Sequence, residues 1–173
     1  MKFSTVVMAG LLLAPAASVS AQGVNDAQIA SIVVTANQVD IDAGKLAKEK
    51  SKTKDVQEFA ERMIVDHGGV NKSAGDLVKK LGVKPEKNPT SESLQKGGDD
   101  NLAALKKLSG AAFDQAYVDH EVAYHQAVLD AVDKTLIPSA SNAELKALLV
   151  KVRPAFVAHL EHAKHLQASL GKG

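Results

Sequence analysis

The sequence predicts an all-α protein, a bundle of four long helices with an additional short helix in the crossover between the second and third. Three observations lead to this fold class. Apolar residues recur every three or four positions through four long segments, no segment alternates with the period of a strand, and glycine or proline stands near the segment ends. A segment of roughly 25 residues forms a helix about 37 Å long, enough to bury an apolar stripe against its neighbours.

The first half of the domain contains two long helices, predicted at residues 25–50 and 53–81. Thr53 can cap the second helix, and Gly82 stops it. A weaker helix is predicted at residues 91–108, interrupted at Gly97 and Gly98. Because residues 84–110 are too many for a tight turn, we expect them to cross along the bundle, as in a ferritin-like connection.

The second half contains the other two long helices. Residues 111–136 carry two neighbouring apolar stripes, which predicts a deeply buried helix that ends at Pro138. Asn142 can cap the last helix, which runs to Gly171. Pro154 lies inside that helix and should kink it, because proline lacks a backbone donor and clashes with the preceding turn.

The first 21 residues are typical of a secretory signal peptide. Lys2 precedes an uncharged stretch, and Val19-Ser20-Ala21 provides the small residues that signal peptidase accepts. We predict cleavage after Ala21, which leaves a single domain of residues 22–173 in the bacterial periplasm. The alternative, a retained membrane anchor, is disfavoured because the apolar core is shorter than the roughly 18 to 20 residues that a spanning helix requires.

Composition excludes several classes of function. The chain has no cysteine, which excludes thiolate chemistry and disulfides. Without Lys2, 20 basic residues balance 20 acidic ones, so no net field attracts nucleic acid, and aromatic residues are only 3% of the chain, too few for a base-stacking platform. No segment after the signal is apolar enough to span a membrane.

Three histidines and one aspartate are candidate ligands of a metal ion. His67, His125 and His159 each lie on the apolar stripe of a different helix, and Asp40 lies beside the stripe of the first helix. Bundles build metal sites from such inward-facing sets, and imidazoles with one carboxylate suit one divalent ion of zinc, copper or iron. In the alternative interpretation, each histidine is a core residue with its own hydrogen-bond partner.

Other polar residues are weaker candidates. Glu121 lies four residues before His125 and can meet it on one helical face. His162 and His165 lie near a helix C-terminus, where they can simply complement the helix dipole. Asp66 is expected to be a solvated charge, with the alternative that it orients a neighbour.

Four motifs resemble the DUF4142 family, and the likeness covers about residues 27–168. They are Asp40-Ile41-Asp42-Ala43-Gly44-Lys45-Leu46-Ala47, Phe59-Ala60-Glu61-Arg62-Met63-Ile64-Val65-Asp66-His67, Phe113-Asp114-Gln115-Ala116-Tyr117 with the later His125-Gln126, and Arg153-Pro154 followed by His159-Leu160. The resemblance implies an exported bacterial protein with a ferritin-like bundle, and peripheral association with the outer membrane as one option. The family's aspartate-histidine pair corresponds to Asp66-His67, and its later histidines to His125 and His159.

Two departures from known patterns bear on the chemistry. The family commonly has glutamate where this chain has Asp40. The Glu-x-x-His pairs of di-iron bundles are missing, because Ile64, Val122 and Phe156 stand three residues before the candidate histidines.

Three hypotheses about function remain open. The first is a non-enzymatic periplasmic protein that binds a transition metal and acts in metal handling or envelope stress. The second is a metal-dependent oxidoreductase that uses the same pocket. The third is a structural or protein-interaction module in which the histidines are core residues.

Overall fold

The computed structural model describes residues 23–171. Within that range the chain forms five helices and no strand: α1 (Asp26–Lys50), α2 (Lys54–Leu81), α3 (Pro89–Lys106), α4 (Gly110–Ala131) and α5 (Ala143–Leu170). The helix α4 continues through a π-helical turn, Val132–Leu136, and a last α-helical turn, Ile137–Ser139. The all-α prediction is confirmed. The predicted signal peptide and its cleavage after Ala21 lie outside the described residues.

Residues at the helix ends explain where most of the helices begin or stop. Asn25 and Gln28 form a capping box at the start of α1, and Asn142 accepts hydrogen bonds from two backbone N–H groups at the start of α5. Gly82 ends α2 in the left-handed conformation with φ of 66°. Thr53 occupies the N-cap of α2, but its hydroxyl donates to Asp114 at 2.5 Å instead of capping the helix.

The four long helices pack side by side. The helix α1 packs on α2, α2 on α5, and α5 on α4, while α3 lies along α1. Two apolar clusters form the core, one toward each end of the helices. In α1, for example, Val33 belongs to the first cluster and Ala43 to the second.

Two details of the helices differ from the predictions. The predicted interruption of α3 is wrong, since the helix continues through Gly97 and Gly98. Gly98 instead allows α3 to approach α1, because a Cβ atom there would lie 2.7 Å from a methyl carbon of Val39. The prediction that α4 ends at Pro138 also differs from the structure. The N–H group of Ile137 donates to Val132 O, five residues back, and helical structure continues to Ser139.

Candidate metal centre

A layer of buried polar side chains separates the two apolar clusters. Each long helix contributes to it at the point where one cluster ends and the other begins. The layer comprises Asn37 and Asp40 of α1, His67 of α2, Glu121 and His125 of α4, and His159 of α5, all at most 3% exposed. Because buried polar groups cost free energy unless they are paired, this layer requires a chemical explanation.

The three predicted histidines form a triangle. Their ring centroids are 5.6 Å apart for His67 and His125, 5.2 Å for His67 and His159, and 5.4 Å for His125 and His159. One ring nitrogen from each lies within 4.8 Å of the others. Ligand atoms about 2 Å from a tetrahedral ion lie roughly 3.3 Å apart, so modest side-chain shifts would allow a shared ion.

Asn37 fixes the orientation and tautomer of His67. Its amide nitrogen donates to Val33 O at 2.8 Å, so its Oδ1 is the atom that faces Nδ1 of His67 at 2.6 Å. Nδ1 therefore carries a proton, and in the neutral ring Nε2 carries the lone pair. Phe156 stacks on the same ring, with centroids 5.2 Å apart and planes 6° from parallel.

The other two imidazoles are held in a similar way. Nδ1 of His125 donates to the backbone oxygen of Glu121 at 3.0 Å, and Nε2 of His159 donates to Oδ2 of Asp66 at 2.8 Å. In each neutral ring the remaining nitrogen is buried, and it has no hydrogen-bond partner among residues 23–171. Histidine ligands of metals are commonly held by such outward hydrogen bonds, which fix the tautomer and orient the lone pair.

Asp40 lies next to two of these lone pairs. Its Oδ2 is 2.7 Å from Nε2 of His67 and 3.4 Å from Nε2 of His125. The 2.7 Å contact is short, yet neither atom makes a hydrogen bond of acceptable angle within the described chain. The two atoms therefore converge without a direct hydrogen bond between them.

The two carboxyl groups of this layer have pKa values shifted in opposite directions. Burial raises the pKa of Asp40, but the nearby imidazoles of His67 and His125, together with Glu121, outweigh this effect, so the pKa is lowered. Burial and the negative charge of Asp40 raise the pKa of Glu121 well above its ordinary value. These opposite shifts favour the ionised form of Asp40 and the protonated form of Glu121.

Burial also lowers the pKa of two of the imidazoles. It lowers the pKa of His125, against the attraction of Asp40. For His159, burial and the neighbouring imidazoles of His67 and His125 lower the pKa to about 4, although the hydrogen bond to Asp66 opposes this shift. Both rings are therefore neutral at pH 7, the form that binds metals.

Three neighbours of the imidazoles have contacts that the sequence did not predict in full. Asn37 was not singled out, although it lies one turn before Asp40 on the buried face of α1. Glu121 was noted only as a helical neighbour of His125, yet with Asp40 and His125 it forms a second group of converging ligand atoms. Asp66, expected to be a solvated charge, is the acceptor for His159, which agrees with the alternative that it orients a neighbour.

The layer does not include Asp42, His162 or His165. The side chain of Asp42 is 40% exposed and pairs with Lys45. His165 is exposed, and His162 packs edge-on against Phe59 with centroids 5.1 Å apart. Neither histidine belongs to a converging ligand group in the described part of the chain.

Comparison with known proteins places this chain in a family. The family model described as "Domain of unknown function (DUF4142)" matches residues 12–166, so the protein belongs to the DUF4142 family, as the motifs predicted. No curated protein matches the chain. Among residues 23–171, no helix combines the length and the apolar composition needed to cross a membrane.

The fold is also similar to that of a solved structure. This structure, CopM in the Cu(II)-bound form, superposes with a TM-score of 0.65 at 14% sequence identity. The match covers 85% of this chain and 98% of that chain. At this identity the likeness shows a shared helical fold.

Proposed function

We propose that this protein binds one divalent transition-metal ion through His67, His125, His159 and Asp40, and that it handles metal in the bacterial periplasm. One observation carries the proposal. Three buried imidazoles each donate one N–H group outward and keep the other nitrogen without a partner in residues 23–171, next to an ionised carboxylate. Burying such nitrogens without partners would cost about 1–3 kcal/mol each, whereas a shared ion satisfies them all.

The surrounding fold supports this assignment. Four helices from a ferritin-like bundle would each supply one ligand, and α3 would form the crossover between the second and third of them. Ligands on four rigid helices resist displacement, and the apolar clusters on both sides exclude water from the ion.

The donor set suits zinc, copper or iron. Copper is the first ion to test, because the structural neighbour is CopM in the Cu(II)-bound form, although the two chains are only 14% identical. When bound, copper or iron would supply redox chemistry, and zinc would supply a Lewis acid. The residues of this chain would hold the ion and exclude water from it.

One observation favours a second candidate, a metal-dependent oxidoreductase. The buried carboxyl of Glu121, whose pKa is raised well above its ordinary value, lies in the same layer, with Oε2 at 3.4 Å from Nδ1 of His125. A carboxylic acid there could donate a proton to a reacting group. Turnover of peroxide or dioxygen by the metal-loaded protein, lost in Glu121→Gln with the metal retained, would support this candidate over simple metal handling.

The test of the proposal is elemental analysis of the protein purified without an affinity tag. It should be measured before and after chelation, and after titration with Cu(II), Zn(II) and Fe(II). The variants are His67→Ala and His159→Ala, and His165→Ala is the matched control because that histidine is exposed. We expect one ion per chain in the wild type and the control, and none in the two site variants. Stoichiometric metal in both site variants, or no binding of any of these ions by the wild type, would overturn the proposal.

A further inference from the structure

A second feature of the interior is a cavity of about 140 Å³ beside the imidazoles. His67 and His125 form part of its wall, whereas His159 does not line it. The rest of the wall comes from α1, α3, α4 and α5, mainly through aliphatic and aromatic side chains that include Ile32, Leu94, Val128, Val152 and Phe156. The cavity therefore extends from the polar layer into the first apolar cluster.

The surface of the cavity is almost entirely apolar, and Nε2 of His67 and of His125 face Asp40, which does not line it. The hydroxyl of Tyr124 donates to Ala36 O at 2.8 Å, and the amide of Asn37 is bonded to Val33 and His67. A buried water needs two to four polar partners, and apolar cavities of roughly 150 Å³ stay dry and bind benzene or xenon. The size and the lining of this cavity therefore select an uncharged apolar guest.

The π-helical turn contributes to the shape of the cavity. Val132 and Leu136, its first and last residues, are buried and line the wall. Turns of this kind are rare in α-helices and occur frequently at functional sites. An uninterrupted α-helix would rotate one of these two side chains relative to the other, and thus change the wall.

The cavity reaches the seam between α3 and α4. Thr90 and Ala127 are exposed at this seam and line the cavity. Thr90, Leu94 and Tyr124 also line an open groove on the same face. A guest can therefore enter between α3 and α4 past the side chain of Leu94, without disruption of the four long helices.

We propose that this cavity is a binding site for a small, uncharged apolar molecule, from a diatomic gas to a single six-membered ring. The guest enters between α3 and α4 and lies against the rings of His67, His125 and Phe156. Its binding energy comes from apolar contact and does not require the ion. The cavity and the metal centre can consequently be tested separately.

Benzene and xenon are the probes for this site, added to chelator-treated protein. Binding is measured by NMR chemical-shift changes of the methyl groups around the cavity and by the rise in the thermal unfolding midpoint. Val128→Phe and Ala36→Leu each place a larger side chain on the wall. Val150→Phe is the matched control, because Val150 is 53% exposed and lies outside the cavity.

The expected result is saturable binding of both probes by the wild type and by Val150→Phe. Binding should be at least about tenfold weaker in both cavity variants, a loss of roughly 1.4 kcal/mol or more. His159→Ala should keep the guest while it loses the metal, and Val128→Phe should do the reverse. Absence of saturable binding in the wild type, or equal affinity in both folded cavity variants, would overturn the proposal and leave the metal centre untouched.

Discussion

The Nε2 atom of His67 lies 2.7 Å from Oδ2 of Asp40, and both side chains are almost completely buried. This contact joins α2 to α1 in the polar layer between the two apolar clusters. Since Asn37 holds the other ring nitrogen as a donor, the lone pair of Nε2 faces an ionised carboxylate in the neutral ring. A metal ion bound by both atoms would satisfy the lone pair and the carboxylate together, which is how the metal proposal accounts for the contact.

Asp66 should affect metal affinity without being a ligand. It accepts the hydrogen bond from Nε2 of His159 and so orients the ring nitrogen that faces the site. We expect Asp66→Ala to weaken metal binding by about 10–100-fold, the usual effect of removing such a partner. Competition with a chromophoric chelator measures this loss. Asp42→Ala, which removes an exposed carboxylate of α1, should bind as the wild type does, and equal affinity in Asp66→Ala would contradict the prediction.

Asn37 should contribute to stability through His67. In Asn37→Leu the branched shape of the side chain is kept, but the N–H group of His67 loses its acceptor in the core. An unsatisfied buried donor costs about 1–3 kcal/mol, so the free energy of unfolding should fall by that amount in metal-free protein. Urea unfolding in chelator measures it. The control is Asn71→Leu, since within residues 23–171 the side chain of Asn71 makes only a long hydrogen bond of 3.4 Å to Val34 O. A smaller loss in Asn37→Leu than in the control would refute the role of this bond.

The pKa of His159 predicts how stability depends on pH. Burial lowers it in the folded protein from the ordinary 6.5 to about 4. Between these pH values the unfolded chain binds more protons than the folded protein does. The contribution of His159 to the free energy of unfolding is therefore complete above pH 6.5 and decreases as the pH drops toward 4. The loss from this group amounts to at most about 3 kcal/mol.

This pH dependence is measured by urea unfolding of metal-free protein at several pH values from 7 to 4. In His159→Gln the free energy of unfolding should decrease less between pH 6.5 and 4 than it does in the wild type. The part of the decrease that is due to His125 should remain, because burial lowers the pKa of that ring too. His165→Gln, at an exposed position, serves as the control. An identical fall in wild type and His159→Gln would show that the buried ring does not titrate as argued.

The sequence predicted what depends on helical periodicity. A spacing of three or four apolar residues located the long helices and placed His67, His125 and His159 inside, because a stripe of that period must face the core. It did not reveal which inward residues pair across helices. The partners of Asn37 and Asp66 are 30 and 93 residues away in the chain, so only the packing of the helices determines these bonds.

The glycine pair in α3 also shows that a single sequence does not reveal contacts between helices. The pair Gly97-Gly98 suggested a broken helix, since glycine lowers helix propensity. The structure distinguishes the two residues, because a Cβ at Gly98 would meet Val39, and a Cβ at Gly97 would meet nothing within 4 Å in the described chain. Tertiary contact with α1 therefore outweighs the local preference, and a single sequence does not contain that contact.

This difference gives a paired prediction. In Gly98→Ala the new methyl group would lie 2.7 and 2.8 Å from the two methyl carbons of Val39, so either the Val39 side chain or α3 itself must shift. We expect a loss of about 1–3 kcal/mol in the free energy of unfolding, as for other overpacked sites. Gly97→Ala adds the same group where it meets nothing, and should stabilise α3 by up to about 1 kcal/mol through helix propensity. Urea unfolding of both variants tests the pair. Equal effects of the two substitutions would mean that α3 does not pack on Val39 as the structure has it, and the wall that α3 contributes to the cavity would then be in question.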